Sequence, residues 1–282
     1  MTPEFDVIVV TAYQDIEGLL RSVLSVRDHD LGWRDGRTRL TLVANSEPVG
    51  AGDSRVDKEN GYREFHVGHN AGWVRAANAG LSLATAPHVV LMNDDVEVRG
   101  VTQRSVTEKW KDAEGSHYRV IDPAHRNWLE KMREPFTSEC KIAAVGPRST
   151  SNQGRQGELE AGPWRECQTW CVEGADCFFE VNEDEDFDPD HKWGIGKWPL
   201  SFFCVMFSQE AIKDVGLLDL NLADGYGGDD DDWQRRAWEK GWRFAYQPEV
   251  MVAHEGNATF KERKAELQPG NIEFLRRKWG RE

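Results

Sequence analysis

The sequence predicts an α/β protein in which a β-sheet is flanked by helices. Through the first 92 residues, short apolar runs of strand length alternate with stretches whose apolar residues recur at helical spacing. This alternation is typical of βαβ units, whose strands lie parallel in one sheet. The 282 residues suffice for one large domain or two small ones, with a substantial core.

The elements of the first half follow one another closely. Strands are predicted at 5–10, 40–44, 63–67 and 88–92. Asp15 is a plausible cap for a first helix, whose apolar residues recur from Ile16 to Leu24. Asn70 can cap a second helix, which carries apolar residues up to Ala84 and is broken before the next strand by Pro87.

The second half of the chain is less regular. Residues 103–122 are polar and indicate an exposed insertion, whereas 149–199 combine glycine, tryptophan and acidic residues with little periodicity. A connection this long is usually functional or mobile, and its role stays open. The remaining elements are strands at 141–145 and 202–207, edge strands at 244–246 and 250–253, helices at 128–136, 209–215 and 232–240, and a tail that is helical from Lys261 but interrupted at Pro269-Gly270.

Composition narrows the classes of function. Lys plus Arg is 35 and Asp plus Glu is 49, which gives a formal charge of −14 and makes nucleic acid a less expected partner. The five cysteines are an odd number in a long chain, so we expect reduced thiols and a cytoplasmic location; zinc at Cys167, Cys171 and Cys177 is a minor alternative. No signal peptide is evident, and no apolar run approaches the ~20 residues of a membrane span.

Carboxylates follow the strand predicted at 88–92. Asn93, Asp94 and Asp95 come directly after this buried strand, and open α/β sheets bind ligands at the carboxyl ends of their strands. His254 follows another predicted strand late in the chain. A carboxylate with an imidazole suits a divalent cation such as Mn²⁺ or Mg²⁺. The alternatives are a turn-forming Asn-Asp cluster and a polar histidine at a strand end.

An acidic run lies between these two features, at Asp229, Asp230, Asp231 and Asp232. One aspartate would be enough to cap a helix, and adjacent carboxylates repel one another. Repulsion or burial raises the pKa of a carboxyl group towards the range that a general base needs. The run therefore favours a catalytic role, and the alternative is a solvated cluster at the start of a helix.

Six motifs in a fixed order resemble the family 2 glycosyltransferases. They are Val9 to Tyr13; Asn70 to Trp73 with Asn78 to Gly80; Asn93 to Asp95; Val215 to Asp219; Asp229 to Trp233; and Val252 to His254. The resemblance covers nearly the whole chain. It implies the GT-A fold: a single Rossmann-like α/β domain with a mixed sheet and irregular loops on the acceptor side. We expect this domain to span 1–258, with a nucleotide-binding half at 1–100, an acceptor half at 101–258 and a C-terminal helical tail at 259–282.

The resemblance also implies roles for the acidic residues and the histidine. Asp95 and His254 would bind the metal that bridges the donor diphosphate, and Asn93 or Asp94 would touch the ribose. Asp230 would be the catalytic base, although the register leaves Asp229 and Asp231 open, and Asp232 would hold the loop.

The donor pocket is assigned on the same grounds. Thr11, Ala12 and Tyr13 follow the first strand, where the family contacts the nucleotide, and Asn70, Gly72, Trp73 and Asn78 would shape the pocket. The alternative for the glycines is close packing, and for Asn70 a helix cap. Many relatives carry an aspartate that reads uracil near Ala44, and Asn45 could substitute for it; the expected donor is a UDP-sugar. Trp193, Trp198 and Trp233 could be sugar or base platforms, or could belong to the core.

The sequence therefore predicts a metal-dependent inverting glycosyltransferase that moves a sugar from a nucleotide-diphosphate donor to an acceptor hydroxyl. The acceptor could be a glycan, a glycolipid, a protein or a modified nucleobase. A sugar-phosphate nucleotidyltransferase would need a basic phosphate-gripping loop early in the chain, and residues 11–17 contain no Lys or Arg. A non-catalytic carbohydrate-binding relative is disfavoured by the intact acidic run and by His254.

Overall fold

The computed structural model describes residues 2–30, 32–33, 35–47, 62–101, 107–112, 115–120, 127–137, 141–150, 165–166, 200–254 and 264–279. Three predictions lie outside these ranges: the cysteine cluster at 167–177, the aromatic platforms Trp193 and Trp198, and nearly all of the 149–199 segment. Within the described ranges, no helix is both long and apolar enough to cross a membrane.

The described residues form eleven strands and six helices. The strands are β1 (Phe5–Thr11), β2 (Thr38–Ala44), β3 (Arg63–His66), β4 (His88–Asn93), β5 (Val96–Val101), β6 (Thr107–Asp112), β7 (Gly115–Val120), β8 (Ile142–Ser149), β9 (Arg165–Glu166), β10 (Cys204–Ser208) and β11 (Arg243–His254). The helices are α1 (Ile16–Asp28), α2 (Trp73–Leu83), α3 (Trp128–Arg133), α4 (Gln209–Val215), α5 (Asp229–Glu239) and α6 (Lys264–Lys278). Short 3₁₀ turns occupy Glu134–Thr137 and Leu220–Leu222.

One mixed sheet organises the domain. Its strand order is β3-β2-β1-β4-β10-β8-β11-β5, with β9 paired to β11 beside this path, and β6 pairs with β7 in a separate hairpin. Strand β10 runs antiparallel to both of its neighbours, β4 and β8, and β11 is parallel to β8. The carboxyl ends of β1, β4 and β11 therefore meet at the same edge of the sheet, as ligand sites in α/β sheets require. The predicted α/β class with a mixed, helix-flanked sheet is confirmed.

Helices cover both faces of the sheet because the strands carry apolar residues on both faces. One core contains Ile8 and Val10 of β1 with the apolar face of α2 and with Trp233 of α5. The opposite core joins Val7 and Val9 to the buried face of α1. Helix α2 approaches the sheet very closely: a Cβ on Gly80 would lie 2.3 Å from Cγ2 of Ile8.

Buried Asp6 ties three parts of the first half together. Its carboxylate accepts hydrogen bonds from Arg39 of β2 at 2.5 and 2.6 Å. It also accepts from the backbone N–H groups of Thr85 and Ala86, which join α2 to β4, at 2.7 and 2.8 Å. A fully buried carboxylate needs such partners because burial without them is costly.

Several predicted elements need correction. Residues 244–246 and 250–253 are not separate edge strands: both belong to β11, which lies inside the sheet between β8 and β5. A register shift between Gln247 and Met251 lets this one strand bend. Strand β5 was not predicted. The β6–β7 hairpin was also not predicted, because the polar composition of 103–122 indicated only an insertion.

Two helix starts and one helix break also differ from expectation. The residue before α2 is Gly72, not Asn70, and α5 begins at Asp229 instead of residue 232. Helix α6 runs through Pro269 without interruption. Proline removes only one backbone donor here and is exposed, and the buried residues Asn271 and Leu275 hold the helix beyond it.

The pH dependence of stability should reveal the environment of His88. Its ring contacts Phe5 and Phe136, and burial, reinforced by nearby Arg133, lowers the pKa of His88 from 6.5 to about 4. Between pH 6.5 and 4, His88 is protonated in the unfolded chain but neutral in the folded chain. Its contribution therefore lowers the free energy of unfolding as the pH falls through this interval. In His88→Phe, which keeps an aromatic ring, the free energy of unfolding should fall less steeply across this interval than in the wild type.

Urea unfolding at several pH values measures this difference. His66→Phe, at an exposed position on β3, is the matched control for removing one histidine. Parallel curves for the wild type and His88→Phe would contradict the assignment.

Candidate functional site

The carboxyl ends of β1 and β4 form one side of the candidate site. Asp94 follows β4 and bonds to the side chain of Thr11 and the backbone of Ala12, at the end of β1. Burial raises the pKa of Asp94, and the charge of Asp95 adds to the rise, while the bonds to Thr11 and Ala12 oppose it. The structure therefore brings together three of the residues predicted to contact a nucleotide.

Asp95 and His254 meet where β5 pairs with β11. His254 lies opposite Val96 in the antiparallel ladder, so it is next to Asp95, and its Nε2 lies 3.3 Å from Oδ1 of that residue. The His254 ring is buried and stacks on Phe203 with a centroid distance of 4.6 Å and an interplanar angle of 16°. Stacking fixes the plane of the imidazole, and therefore the direction in which its nitrogens point.

This pair fits a divalent cation. Among the described residues, neither buried ring nitrogen of His254 makes a hydrogen bond, and Nε2 has only its 3.3 Å ion-pair contact with Asp95. A buried polar atom without a partner is costly, and a metal would satisfy it. The described side chains contain no group of three or more His, Cys, Asp or Glu arranged for a metal. A magnesium-type ion needs fewer protein ligands, because waters and substrate phosphates complete its coordination.

The acidic run forms the first turn of α5. Gly228, with φ of 84°, turns the chain into the helix, so none of the four aspartates occupies the capping position. Asp232 is fully buried and paired with Arg236 at 2.9 Å and with Lys278 of α6 at 2.6 Å. Asp232 therefore has a structural role, joining α5 to the C-terminal helix.

The other three aspartates have raised pKa values. Burial, followed by the charge of Asp230, raises the pKa of Asp229 to about 7, although the indole N–H of Trp73 donates to Asp229 at 3.0 Å. Burial also raises the pKa of Asp230, whose carboxylate bonds to the backbone of Asp231 and Phe202. The pKa of Asp231 is raised well above its usual value by burial and by its neighbours' charges. One or more of these groups can hold a proton near neutral pH.

Tyr226 lies within electrostatic range of both the acidic turn and Asp95. It is half-buried on the glycine-rich loop before α5. Burial raises its pKa, and the charges of Asp229, Asp230 and Asp95 contribute to the rise. Two of the three candidate bases therefore share their surroundings with the candidate metal ligand. Tyr226 was not among the residues predicted from the sequence.

Phe202 and Phe203, just before β10, hold both sides of the site. The backbone of Phe202 bonds to the carboxylate of Asp230. The carbonyl of Phe203 accepts from the backbone N–H of Asn93 at 2.9 Å, and its ring stacks on His254. Their apolar side chains gave no sequence signal of this role beyond membership of a strand.

The predicted pocket asparagines are bonded within the protein. Asn45 accepts from the N–H of Ala71 at 2.8 Å and donates to Asn70 and to the carbonyl of Gly72. Asn78 bonds to both backbone groups of Leu218 at 2.9 Å. These side chains shape the loops around the site. Donor contact by Asn45 or Asn78 stays a prediction.

Two further predicted residues have distinct settings. Tyr13 has a left-handed backbone, with φ of 55°, which is uncommon for a residue with a side chain. Its hydroxyl contacts Glu64 of β3. Trp233, considered as a ring platform, is 1% exposed and packs against Phe202 and Phe207, so it belongs to the core.

Comparison with solved structures shows the fold. The chain matches a mannosyltransferase of Pyrobaculum calidifontis, solved with GDP-Man and Mn²⁺, with TM-score 0.54 and 14% identity over 98% of this chain and 65% of that one. It matches GalNAc-T7, solved with UDP, GalNAc and Mn²⁺, with TM-score 0.54 and 14% identity over 90% of this chain and 44% of that one. It also matches TarS of S. aureus, with TM-score 0.54 and 12% identity over 90% of this chain and 36% of that one.

These matches identify the architecture as the GT-A fold, in a single domain. The chain spans less than two thirds of each of these proteins. No protein-family description and no characterised protein sequence matches the chain.

Removing the indole donor should change the titration of the acidic turn. In Trp73→Phe, the carboxylate of Asp229 loses its charge-assisted hydrogen bond, so the pKa of Asp229 should rise above about 7. A bond of this kind corresponds to roughly one pH unit. Carboxyl chemical shifts followed by NMR through a pH titration measure the change.

Trp242→Phe is the matched control, because it removes an indole bond from Asp214 of α4, which lies outside the acidic turn. An unchanged titration of the acidic turn in Trp73→Phe would show that the bond to Trp73 does not stabilise the charged form of Asp229.

Proposed function

We propose that this protein is an inverting glycosyltransferase that transfers a sugar from a nucleotide-diphosphate donor to an acceptor hydroxyl. The observation that carries the proposal is the link through Phe202 and Phe203, which joins a candidate base at Asp230 to a candidate metal ligand at His254. This transfer needs two groups close together, a base and a group that binds the diphosphate. The GT-A fold supports the same reading.

Asp230 acts as the general base in this scheme. Its carboxylate takes the proton of the acceptor hydroxyl while the hydroxyl oxygen attacks the anomeric carbon from the face opposite the diphosphate. The new glycosidic bond forms as the bond to the diphosphate oxygen breaks, so the configuration inverts. A raised pKa matches this task, because a base works best when its pKa is near the working pH.

Accessibility favours Asp230 over Asp229 but does not separate it from Asp231, which is also half-buried. Asp229 is 7% exposed and is bonded to Trp73, whereas Asp230 is half-buried and therefore more accessible to a substrate. The charges of Asp229 and Asp230 both raise the pKa of Tyr226, as does the charge of Asp95. Asp229 and Asp231 remain the alternatives that mutation must test.

Asp95 and His254 would hold Mn²⁺ or Mg²⁺. The ion would supply Lewis-acid stabilisation of the charge that develops on the leaving diphosphate. Thr11, Ala12 and Asp94, at the adjoining strand ends, would bind the nucleoside. Asn93, Asn70, Gly72 and Trp73 would shape the pocket around it. The Mn²⁺ and the GDP or UDP groups of the neighbouring structures belong to those proteins and support this class of ligand. A UDP-sugar is the first donor to test.

Metal dependence is the first test of the proposed function. EDTA should abolish transfer, and Mn²⁺ or Mg²⁺ should restore it. His254→Ala should weaken Mn²⁺ binding, measured by electron paramagnetic resonance of the free ion, and should weaken donor binding with it. The exposed His66→Ala variant is the control. Full transfer by metal-free protein would refute the metal role.

The second test concerns the base. Asp230→Asn keeps the size of the side chain but cannot accept a proton, so turnover should fall by about 10²–10⁴-fold. Donor affinity should change little, because the group acts in the chemical step. Steady-state transfer and calorimetric binding of the nucleotide diphosphate separate the two effects.

Asp229→Asn and Asp231→Asn should be milder. Near-normal turnover in Asp230→Asn, together with an inactive Asp229→Asn or Asp231→Asn, would move the base to that neighbour. Activity in all three variants would reduce the acidic turn to a structural feature of α5.

A further inference from the structure

The C-terminal helix α6 touches the segment that carries the candidate base at three points. The first is Asn271, which is 4% exposed. Its Nδ2 donates to the carbonyl of Leu222 at 3.2 Å and to that of Gly227 at 2.9 Å. One side chain therefore joins both ends of the loop that precedes α5.

The second point is steric. A Cβ on Gly225 would lie 1.9 Å from Oδ1 of Asn271, and one on Gly228 would lie 2.5 Å from Cδ1 of Leu275. Leu275 is fully buried. Side chains of α6 thus occupy the space that side chains of the loop would otherwise fill, and the loop fits only because it is built of glycine.

The third point is electrostatic. Nζ of Lys278 lies 2.7 Å from Oδ2 of Asp219 and 2.6 Å from Oδ1 of Asp232. Asp219 lies before the glycine-rich loop and Asp232 closes the acidic turn, so one ammonium group holds the segment at both ends. Arg236 also pairs with Asp232, so removing Lys278 does not leave this buried carboxylate without a cation.

The loop needs this support. Gly227 and Gly228 are consecutive and both left-handed, with φ of 74° and 84°. Glycine loses more backbone entropy on ordering than any other residue, so two in succession leave the loop weakly restrained by its own sequence. The position of the first turn of α5, and of Asp230 within it, then depends on contacts from outside the loop.

We propose that Asn271 and Lys278 are positioning residues for sugar transfer, through which α6 clasps the 219–232 segment and holds the base at the acceptor hydroxyl. This inference rests on the proposed function. Neither residue touches the reacting atoms: each acts through the loop and the first turn of α5.

The test compares four variants of the full chain. Asn271→Asp keeps the shape of the side chain but loses both donated hydrogen bonds. Lys278→Met removes the cation, Lys278→Arg restores it, and Glu273→Ala changes an exposed residue of the same helix as a control. For each variant we measure kcat, donor affinity, and amide hydrogen exchange across 225–232, at a temperature where the protein is folded.

We expect Asn271→Asp and Lys278→Met to lower kcat by about 10–100-fold, the size of effect produced by a misplaced catalytic group. Donor affinity should stay within about twofold, and exchange across 225–232 should quicken. Lys278→Arg and Glu273→Ala should resemble the wild type. If Lys278→Met does not fold, Asn271→Asp and Lys278→Arg still decide the question.

Unchanged kcat in folded Asn271→Asp would overturn the positioning role, even if exchange quickens. Unchanged exchange would overturn the clasp itself. Hydrogen exchange does not depend on the reaction. If the wild type transferred no sugar from any donor, the proposed function would fail and the positioning role would fall with it, while the exchange data would still decide whether α6 holds the loop.

Discussion

Two phenylalanines in the turn just before β10 determine how the site is assembled. Phe202 presents its backbone to the acidic turn, and Phe203 presents its ring to His254 and its carbonyl to Asn93. Phe202 packs in the core on one side of the sheet and Phe203 in the core on the other, so the pair connects the two. The relative position of base and metal ligand thus depends on one short stretch of chain.

Several different interactions stabilise the charges of the acidic turn. Asp232 has two cationic partners, and Asp229 has an indole donor. The positive end of α5 favours all four carboxylates, since they lie in its first turn. Burial outweighs these contacts and raises the pKa values of Asp229, Asp230 and Asp231, so the turn keeps a capacity to accept protons.

Local signals predicted the first half of the fold well. The strand and helix periods of residues 5–92 depend on near neighbours, and the structure reproduces their order. The second half depends on distant pairing: β11 joins the interior of the sheet through β8 and β5, which no local pattern specifies. The interpretation of 244–246 and 250–253 as edge strands was wrong for this reason.

The candidate site was predictable to a similar degree. Asp95 and His254 were selected because carboxylate and imidazole are metal-binding groups at strand ends, and the structure places them 3.3 Å apart. Asn271 and Lys278 were not selected, because an asparagine and a lysine on a helix surface carry no signal of their partners. Such contacts become visible only when the chain is folded.

Among the strands that the structure describes, β3 forms one edge of the sheet, which bears on association between copies of the chain. This strand has only four residues, all exposed, and three of them are Arg63, Glu64 and His66. An open edge offers unpaired backbone groups to another molecule, and shortness and charge are the usual defences against such pairing. Its shortness and charge therefore protect this edge of the described sheet from edge-to-edge pairing. Replacing these polar residues with β-branched apolar ones would turn the same edge into a template for assembly.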